Sequence, residues 1–138
     1  MKTTTITVSK VVNVPVRKVW ESWTAPQHIV QWNNASPDWH TPFAENDLRT
    51  GGRFKSTMAA KDGSHSFDFE GTYTNIELLR VIEYVMDDGR DVRVTFDAQG
   101  EVTLVTETFD ADPTHPADMQ QAGWQSILDN FKKYTEAL

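Results

Sequence analysis

The sequence PADMQQAGWQSILDNFKKYTEAL, residues Pro116–Leu138, decides the fold because it has the clearest helical period in the chain. Apolar or small residues recur along it at steps of three or four: Met119, Gly123, Ile127, Phe131, Thr135 and Leu138. The opposite face is polar, as in an amphipathic helix that packs one side against a core. We therefore predict a long C-terminal helix, and a stripe this broad needs a large apolar surface to cover it.

The composition indicates a soluble globular protein. The 138 residues are 38% hydrophobic and 24% charged, and we expect one domain spanning residues 1–138. A net charge of −7 with scattered basic residues argues against nucleic acid or membrane insertion. The absence of cysteine excludes disulfides and cysteine-based catalytic or metal sites. No signal or membrane-spanning pattern is present, so we expect a cytoplasmic location.

The chain that precedes the C-terminal helix begins with a strand and two short helices and then becomes rich in strands. Alternating β-branched residues predict a strand over residues 3–12, and apolar spacing predicts short helices at Pro15–Trp23 and Pro26–Trp32. Residues 33–47 have no period and are rich in Asn, Ser, Pro and Asp, which predicts a long irregular loop.

The region from residue 53 to residue 109 predicts a series of strands. They are Arg53–Ala60, Phe67–Leu79, Val81–Met86, Asp91–Phe96 and Glu101–Phe109, joined by short turns that force antiparallel pairing. A curved sheet gripping the C-terminal helix buries both apolar surfaces. We predict an α+β helix-grip fold: a curved antiparallel sheet of about six or seven strands wrapped around a long C-terminal helix, with two short helices after the first strand.

Several motifs occur in a characteristic order. Residues 15–20 read P-x-x-x-V-W and residues 47–54 read D-x-R-x-G-G-x-F, followed by Asp62-Gly63, Gly71-Thr72-Tyr73 and Gly123-Trp124. Together they resemble the START-like, or SRPBCC (polyketide cyclase/dehydrase and lipid transport), superfamily. Within it the chain looks most like the branch of homologues of the activator of the heat-shock-protein-90 ATPase. The resemblance covers essentially the whole chain and implies a helix-grip fold with an internal cavity, because members share a cavity more than a reaction.

The aromatic residues predict the wall of such a cavity. The chain has five Trp, seven Phe and three Tyr, and for any one of them a place in a filled core is an equal alternative. For the set, we expect a cavity that holds a small hydrophobic or aromatic molecule. The candidate ligand-binding residues are Trp32, Trp39, His40, Phe43, Phe54, Met58, Phe67, Phe69, Tyr73, Tyr84, Phe96 and Trp124.

Catalytic groups are sparse, and no catalytic residue is assigned. His40 follows Trp39 in the long loop and could act as a polar anchor or general base, although a surface histidine is favoured on base rates. Glu70 lies on the opposite face of its predicted strand from Phe67 and Phe69, so we expect its side chain to point outward. The face on which Glu107 lies is ambiguous, and a solvated or cross-strand-paired carboxylate is narrowly favoured there. Tyr73 is a third weak acid–base candidate. No histidines have ligand spacing, so we expect no metal site and no cofactor.

A charged cluster surrounds Gly51-Gly52. Asp47, Arg49 and Arg53 could recognise an anion through the guanidinium groups, or could hold the turn before the next strand through ion pairs. The structural interpretation is favoured, with the glycines supplying a turn of positive φ.

Three functions are compatible with these features. Binding of a small hydrophobic molecule comes first, and a cyclase or hydrolase that uses His40 in the same cavity comes second. The third is a co-chaperone-like activator of a heat-shock ATPase, which the family resemblance allows although no interaction segment supports a chaperone partner. The sequence leaves both a monomer and a homodimer open.

Overall fold

A computed structural model describes residues 4–138, so Thr3 at the start of the first predicted strand lies outside the described residues. In chain order the elements are β1 (Thr5–Val12), α1 (Val16–Thr24), α2 (Pro26–Trp32), β2 (Trp39–Asn46), β3 (Arg53–Ala60), β4 (Ser66–Glu77), β5 (Val81–Met86), β6 (Asp91–Gln99), β7 (Val102–Asp110) and α3 (Ala117–Glu136). No helix within residues 4–138 is long and apolar enough to cross a membrane.

The seven strands form one antiparallel sheet in the order β1-β7-β6-β5-β4-β3-β2. Strands that follow one another from β2 to β7 are neighbours, and β1 completes the sheet by pairing with β7. The sheet curls into a half-barrel with α3 against its concave face. The predicted α+β helix-grip architecture is therefore confirmed.

Strand β2 corrects one prediction, because part of the expected irregular loop is a strand. It pairs with β3, and the register shifts between His40 and Phe43. Pro42 lies at this irregularity on an edge strand, where its missing N–H interrupts no central hydrogen-bond ladder. The bulge and the proline disrupt the alternation by which a sequence reveals a strand, so the loop prediction was wrong over Trp39–Asn46.

Aromatic contacts hold α3 at two points along its length. Near its C-terminal end, Phe131 is fully buried and its ring lies 4.8 Å from Trp23 and 4.9 Å from Trp32 in edge-to-face geometry. Towards its middle, Trp124 stacks on Phe109 of β7 with 3.8 Å between ring centroids. Such pairs add to the stabilisation from apolar burial, and they fix both the position and the rotation of α3.

The Gly51-Gly52 turn connects the start of β3 to the middle of β4. Gly51 has a φ of 85°, a conformation that glycine adopts without steric cost. Its N–H donates to the carbonyl of Tyr73 at 2.8 Å, and the N–H of Tyr73 donates to the carbonyl of Gly52 at 2.9 Å. The turn therefore fixes the backbone position of Tyr73.

The arginines around this turn are engaged by carboxylates. The Nε of Arg49 donates to both Asp47 oxygens at 2.9 and 3.0 Å. Arg53 makes a bidentate ion pair with Asp87, in which Nη1 and Nη2 donate to the two carboxylate oxygens at 3.1 and 2.8 Å. These exposed pairs fit the structural interpretation of the cluster, because each guanidinium already has an anionic partner.

We predict that Gly52→Ala destabilises the protein by about 1–3 kcal/mol. A Cβ at this position would overlap the carbonyl oxygen of Asp47 and lie 3.0 Å from that of Arg49, so the backbone of the turn must move. Urea unfolding followed by tryptophan fluorescence measures the change.

Gly123→Ala is the matched control for the same chemical change. No atom lies within 4 Å of its added Cβ, and the residue is in α3, so we expect a gain of about 0.5–1 kcal/mol. Equal effects of the two substitutions would contradict the steric explanation.

Candidate ligand-binding site

A cavity of about 510 Å³ lies among the concave face of the sheet, α2 and the N-terminal half of α3. Its size is within the range of sites that hold small molecules. Phe67 is 51% exposed and forms part of the wall, so the cavity opens to solvent there. Helix α3 contributes Gln120, Gly123, Trp124 and Ile127, and the missing side chain of Gly123 leaves space.

Most of the residues proposed from the sequence line this cavity. They are Trp32, Trp39, Phe54, Met58, Phe67, Phe69, Tyr73, Tyr84 and Trp124. The alternation of β3 and β4 explains the grouping, because residues two apart on a strand share a face. The structure therefore brings these side chains together, whereas their role in binding a ligand remains a prediction.

Three proposed residues lie away from the wall. His40 is exposed and lies on the opposite side of β2 from Trp39, as alternation along a strand requires. Phe43 follows the bulge and is 46% exposed on the outer surface. Phe96 is buried in the core, with its ring 5.2 Å from that of Trp20.

The aromatic part of the wall is continuous from β3 to α3. The ring of Phe54 lies 4.7 Å from Tyr84, 5.2 Å from Tyr73 and 5.6 Å from Phe69. Phe69 continues the series to Trp124, with 6.3 Å between centroids. These edge-to-face and tilted contacts form one connected aromatic surface along the cavity.

Several wall residues were missed by sequence reasoning. They are Trp23, Ile29, Asn33, Ala35, Ser36, Glu45, Asn46, Ser56, Ile82, Arg90, Gln120, Gly123 and Ile127. The helical spacing of Gly123, Trp124 and Ile127 was a usable signal, because it places all three on the side of α3 that faces the sheet. Asn33, Ala35 and Ser36 carry no pattern, because they lie in the irregular connection between α2 and β2.

Tyr73 is a fixed polar group of the wall. Its hydroxyl donates to Oδ1 of Asn46 at 2.6 Å, and Nδ2 of Asn46 donates to the carbonyl of Thr24 at 2.7 Å. Burial raises the pKa of Tyr73, and the bond to Asn46 opposes this only in part. Tyr73 is therefore neutral and already engaged as a donor near neutral pH.

Glu107 is a buried carboxyl group in apolar surroundings. It is 6% exposed, lines the cavity, and has Val8 and Val94 as its neighbours on β1 and β6. Within residues 4–138 its side chain has neither a hydrogen bond nor an ion pair, and burial raises its pKa to about 8. The narrowly favoured prediction of a solvated or paired Glu107 was wrong, because this residue points to the core side of β7.

Tyr84 and Arg90 are two further polar groups of the wall. Burial raises the pKa of Tyr84, the charge of Glu107 raises it further, and Arg90 opposes the shift. The Nε of Arg90 donates to Asp88 at 2.8 Å, so the guanidinium has a carboxylate partner outside the cavity. The wall thus combines a large aromatic surface with several polar groups.

Comparison with known proteins identifies related sequences and structures. A family model described as Activator of Hsp90 ATPase homolog 1-like protein matches residues 13–136. The solution structure of an AHSA1-like protein from Aeromonas hydrophila is 49% identical, with 97% of this chain and 93% of that chain covered and a TM-score of 0.91. A solution structure from Cytophaga hutchinsonii is 51% identical, with 96% and 92% covered and a TM-score of 0.83.

More distant structures share the fold alone. A crystal structure of a protein from Nitrosomonas europaea is 16% identical, covers 96% of this chain and 94% of that chain, and has a TM-score of 0.84. No curated protein matches the sequence at a significant level.

We predict that Glu107→Gln removes a large part of the pH dependence of stability. Between the ordinary value of 4.5 and about 8, the folded protein keeps a proton on Glu107 that the unfolded chain releases. Stability from this group therefore falls as pH rises, by about 1.4 kcal/mol per pH unit at most. We expect wild type and variant to be similar at pH 5, and the variant to be more stable by a few kcal/mol at pH 9.

Urea unfolding at intervals from pH 5 to pH 9 measures this difference. Glu101→Gln is the control, because it makes the same chemical change at an exposed position next to β7. Parallel pH curves for wild type and Glu107→Gln would show that Glu107 is not the buried proton carrier.

Proposed function

The chain belongs to the family of Activator of Hsp90 ATPase homolog 1-like proteins, and we propose that it binds a small hydrophobic or aromatic molecule in its internal cavity. The family and its fold support a ligand-binding or activator-type function in general. Of these two functions we propose ligand binding, with the ligand between the sheet and α3.

One observation carries this proposal: the cavity has an almost continuous aromatic wall beside a tightly packed core. The wall contains a connected series of rings from Phe54, Phe69, Tyr84 and Trp124. Near the C-terminal end of α3, the core is instead closely packed around the fully buried Phe131. A folded chain could bury all of these rings against one another to gain stability. Leaving about 510 Å³ beside them favours an apolar ligand that completes the packing.

The mouth of the cavity is also apolar. Trp39 of β2 and Phe67 of β4 lie 5.9 Å apart there, and both line the cavity. Exposed apolar groups at the rim of a pocket favour entry of an apolar molecule from water. The ligand class that fits both mouth and wall is a compact, largely uncharged molecule with at least one ring.

The enzymatic hypothesis receives less support from the same geometry. It depended first on His40, which lies on the outer side of β2 and away from the cavity. Tyr73 is engaged with Asn46. Glu107 remains at the wall, but among residues 4–138 its side chain has no hydrogen bond to a second acid–base group, which favours binding over turnover.

The description of the family favours a second candidate function, stimulation of an Hsp90 ATPase. The steady-state ATPase rate of purified Hsp90, measured with and without this chain, tests it directly. A higher rate on addition of the chain would support an activator role, and an unchanged rate together with ligand binding would support the first proposal.

We predict that the protein binds the neutral fluorescent probe N-phenyl-1-naphthylamine and that Gly123→Phe weakens this binding about tenfold or more, a change of about 1.4 kcal/mol. Gly123 lies on the cavity side of α3 with open space around it, so the new ring occupies the ligand volume without a backbone clash. Probe fluorescence and the rise in Tm on probe addition give two independent readouts.

Ala122→Phe is the matched control, since residue 122 is adjacent on α3 but exposed. We expect it to bind the probe as wild type does. The proposal is wrong if wild type neither binds this probe nor gains thermal stability from a varied set of compact apolar molecules.

A further inference from the structure

Glu107 is the polar feature of the cavity that apolar packing does not explain. A carboxyl group in this position, with no partner among residues 4–138, costs stability relative to an apolar side chain of similar size. Its two neighbours across the sheet are valines, and Phe109 lies two residues further along the same face of β7. A polar group that is buried at such a cost and lines the cavity points to a ligand that meets it.

We propose that Glu107 is the anchor of the cavity, a neutral carboxylic acid that donates a hydrogen bond to a carbonyl oxygen of an otherwise apolar ligand. This inference rests on the proposed binding function and adds the chemical class of the ligand. A protonated carboxyl group is one of the few side chains that can present an O–H donor in an apolar site. A carbonyl oxygen accepts that bond without bringing a charge into the cavity.

The surroundings of Glu107 favour a neutral ligand over a cationic one. An ammonium group would lose its hydration on entering the apolar cavity, which costs far more than transfer of a ketone. An anionic ligand is disfavoured in turn, because the guanidinium of Arg90 is already paired with Asp88.

The titratable groups of the described wall define how binding responds to pH. They are Glu45, Tyr73, Tyr84, Arg90 and Glu107, whereas α2, β3 and the cavity side of α3 contribute none. Glu45 is on the exposed edge strand, and the raised pKa values of Tyr73 and Tyr84 keep both phenols neutral to high pH. Arginine stays charged throughout. Glu107 is therefore the wall group whose donor capacity changes as pH rises through about 8.

Two probes of nearly identical shape test the proposal: 2-acetylnaphthalene, which carries a carbonyl oxygen, and 2-isopropenylnaphthalene, which has a methylene group in its place. At pH 6 we expect wild type to bind the ketone about tenfold more tightly, the size of one net hydrogen bond. At pH 9.5 this preference should vanish, because a carboxylate cannot donate. The infrared carbonyl band of the bound ketone should lie at lower frequency at pH 6 than at pH 9.5.

Substitutions at Glu107 separate donation from shape. Glu107→Gln keeps an N–H donor that does not titrate, so its preference for the ketone should persist at pH 9.5. Glu107→Met fills a similar volume without a donor and should bind both probes equally at every pH. The wild-type pH series and the infrared band need no variant, so the proposal stays testable if one of these fails to fold.

The outcomes distinguish this inference from the function on which it rests. Equal binding of both probes by wild type at pH 6 would overturn the role of Glu107 and leave the binding function standing. Binding of neither probe would overturn the role of Glu107, and the same result with N-phenyl-1-naphthylamine and the varied set of apolar molecules would overturn the binding function as well. Tighter binding of the amine 1-(2-naphthyl)ethylamine than of the ketone, increasing towards pH 8, would show that Glu107 instead serves a cation.

Discussion

The structure depends on the burial of the apolar stripe of α3 in the concave face of a curved sheet. Phe131 anchors one end of the contact against Trp23 and Trp32, and Trp124 stacks on Phe109 nearer the other end. Both contacts lie in the last two-thirds of the helix, and the cavity lies beside its N-terminal half. The same side of α3 therefore supplies both the packing contacts and part of the cavity wall.

Elements with a strong period could be predicted from the sequence, and those shaped by local irregularity could not. The stripe of α3 and the alternation in β3 and β4 give unambiguous faces, because packing there follows the period of the backbone. Strand β2 has a proline and a bulge within eight residues, so its pairing depends on the edge of β3 and not on its own pattern. Tertiary contact decides such a segment.

The candidate site was predictable to the extent that it lies on regular elements. Phe54 and Met58 could be grouped by parity, and Trp124 by helical spacing. Glu107 could not, because β7 has apolar residues on both of its faces, such as Leu104 on one and Val105 on the other. A strand with apolar residues on both faces gives no internal sign of which face meets the cavity.

Strand β2 also gives the sheet an irregular edge. The sheet is an open half-barrel that ends at β2 on one side, next to the mouth of the cavity. An unprotected edge strand can pair with a strand from another molecule, and repeated pairing of this kind leads to fibres. Pro42 has no backbone N–H, and the adjoining bulge breaks the regular spacing of the neighbouring residues. The series of backbone hydrogen-bond donors along this edge is therefore interrupted. The same irregularity that hides the strand in the sequence thus makes this edge a poor template for a further strand.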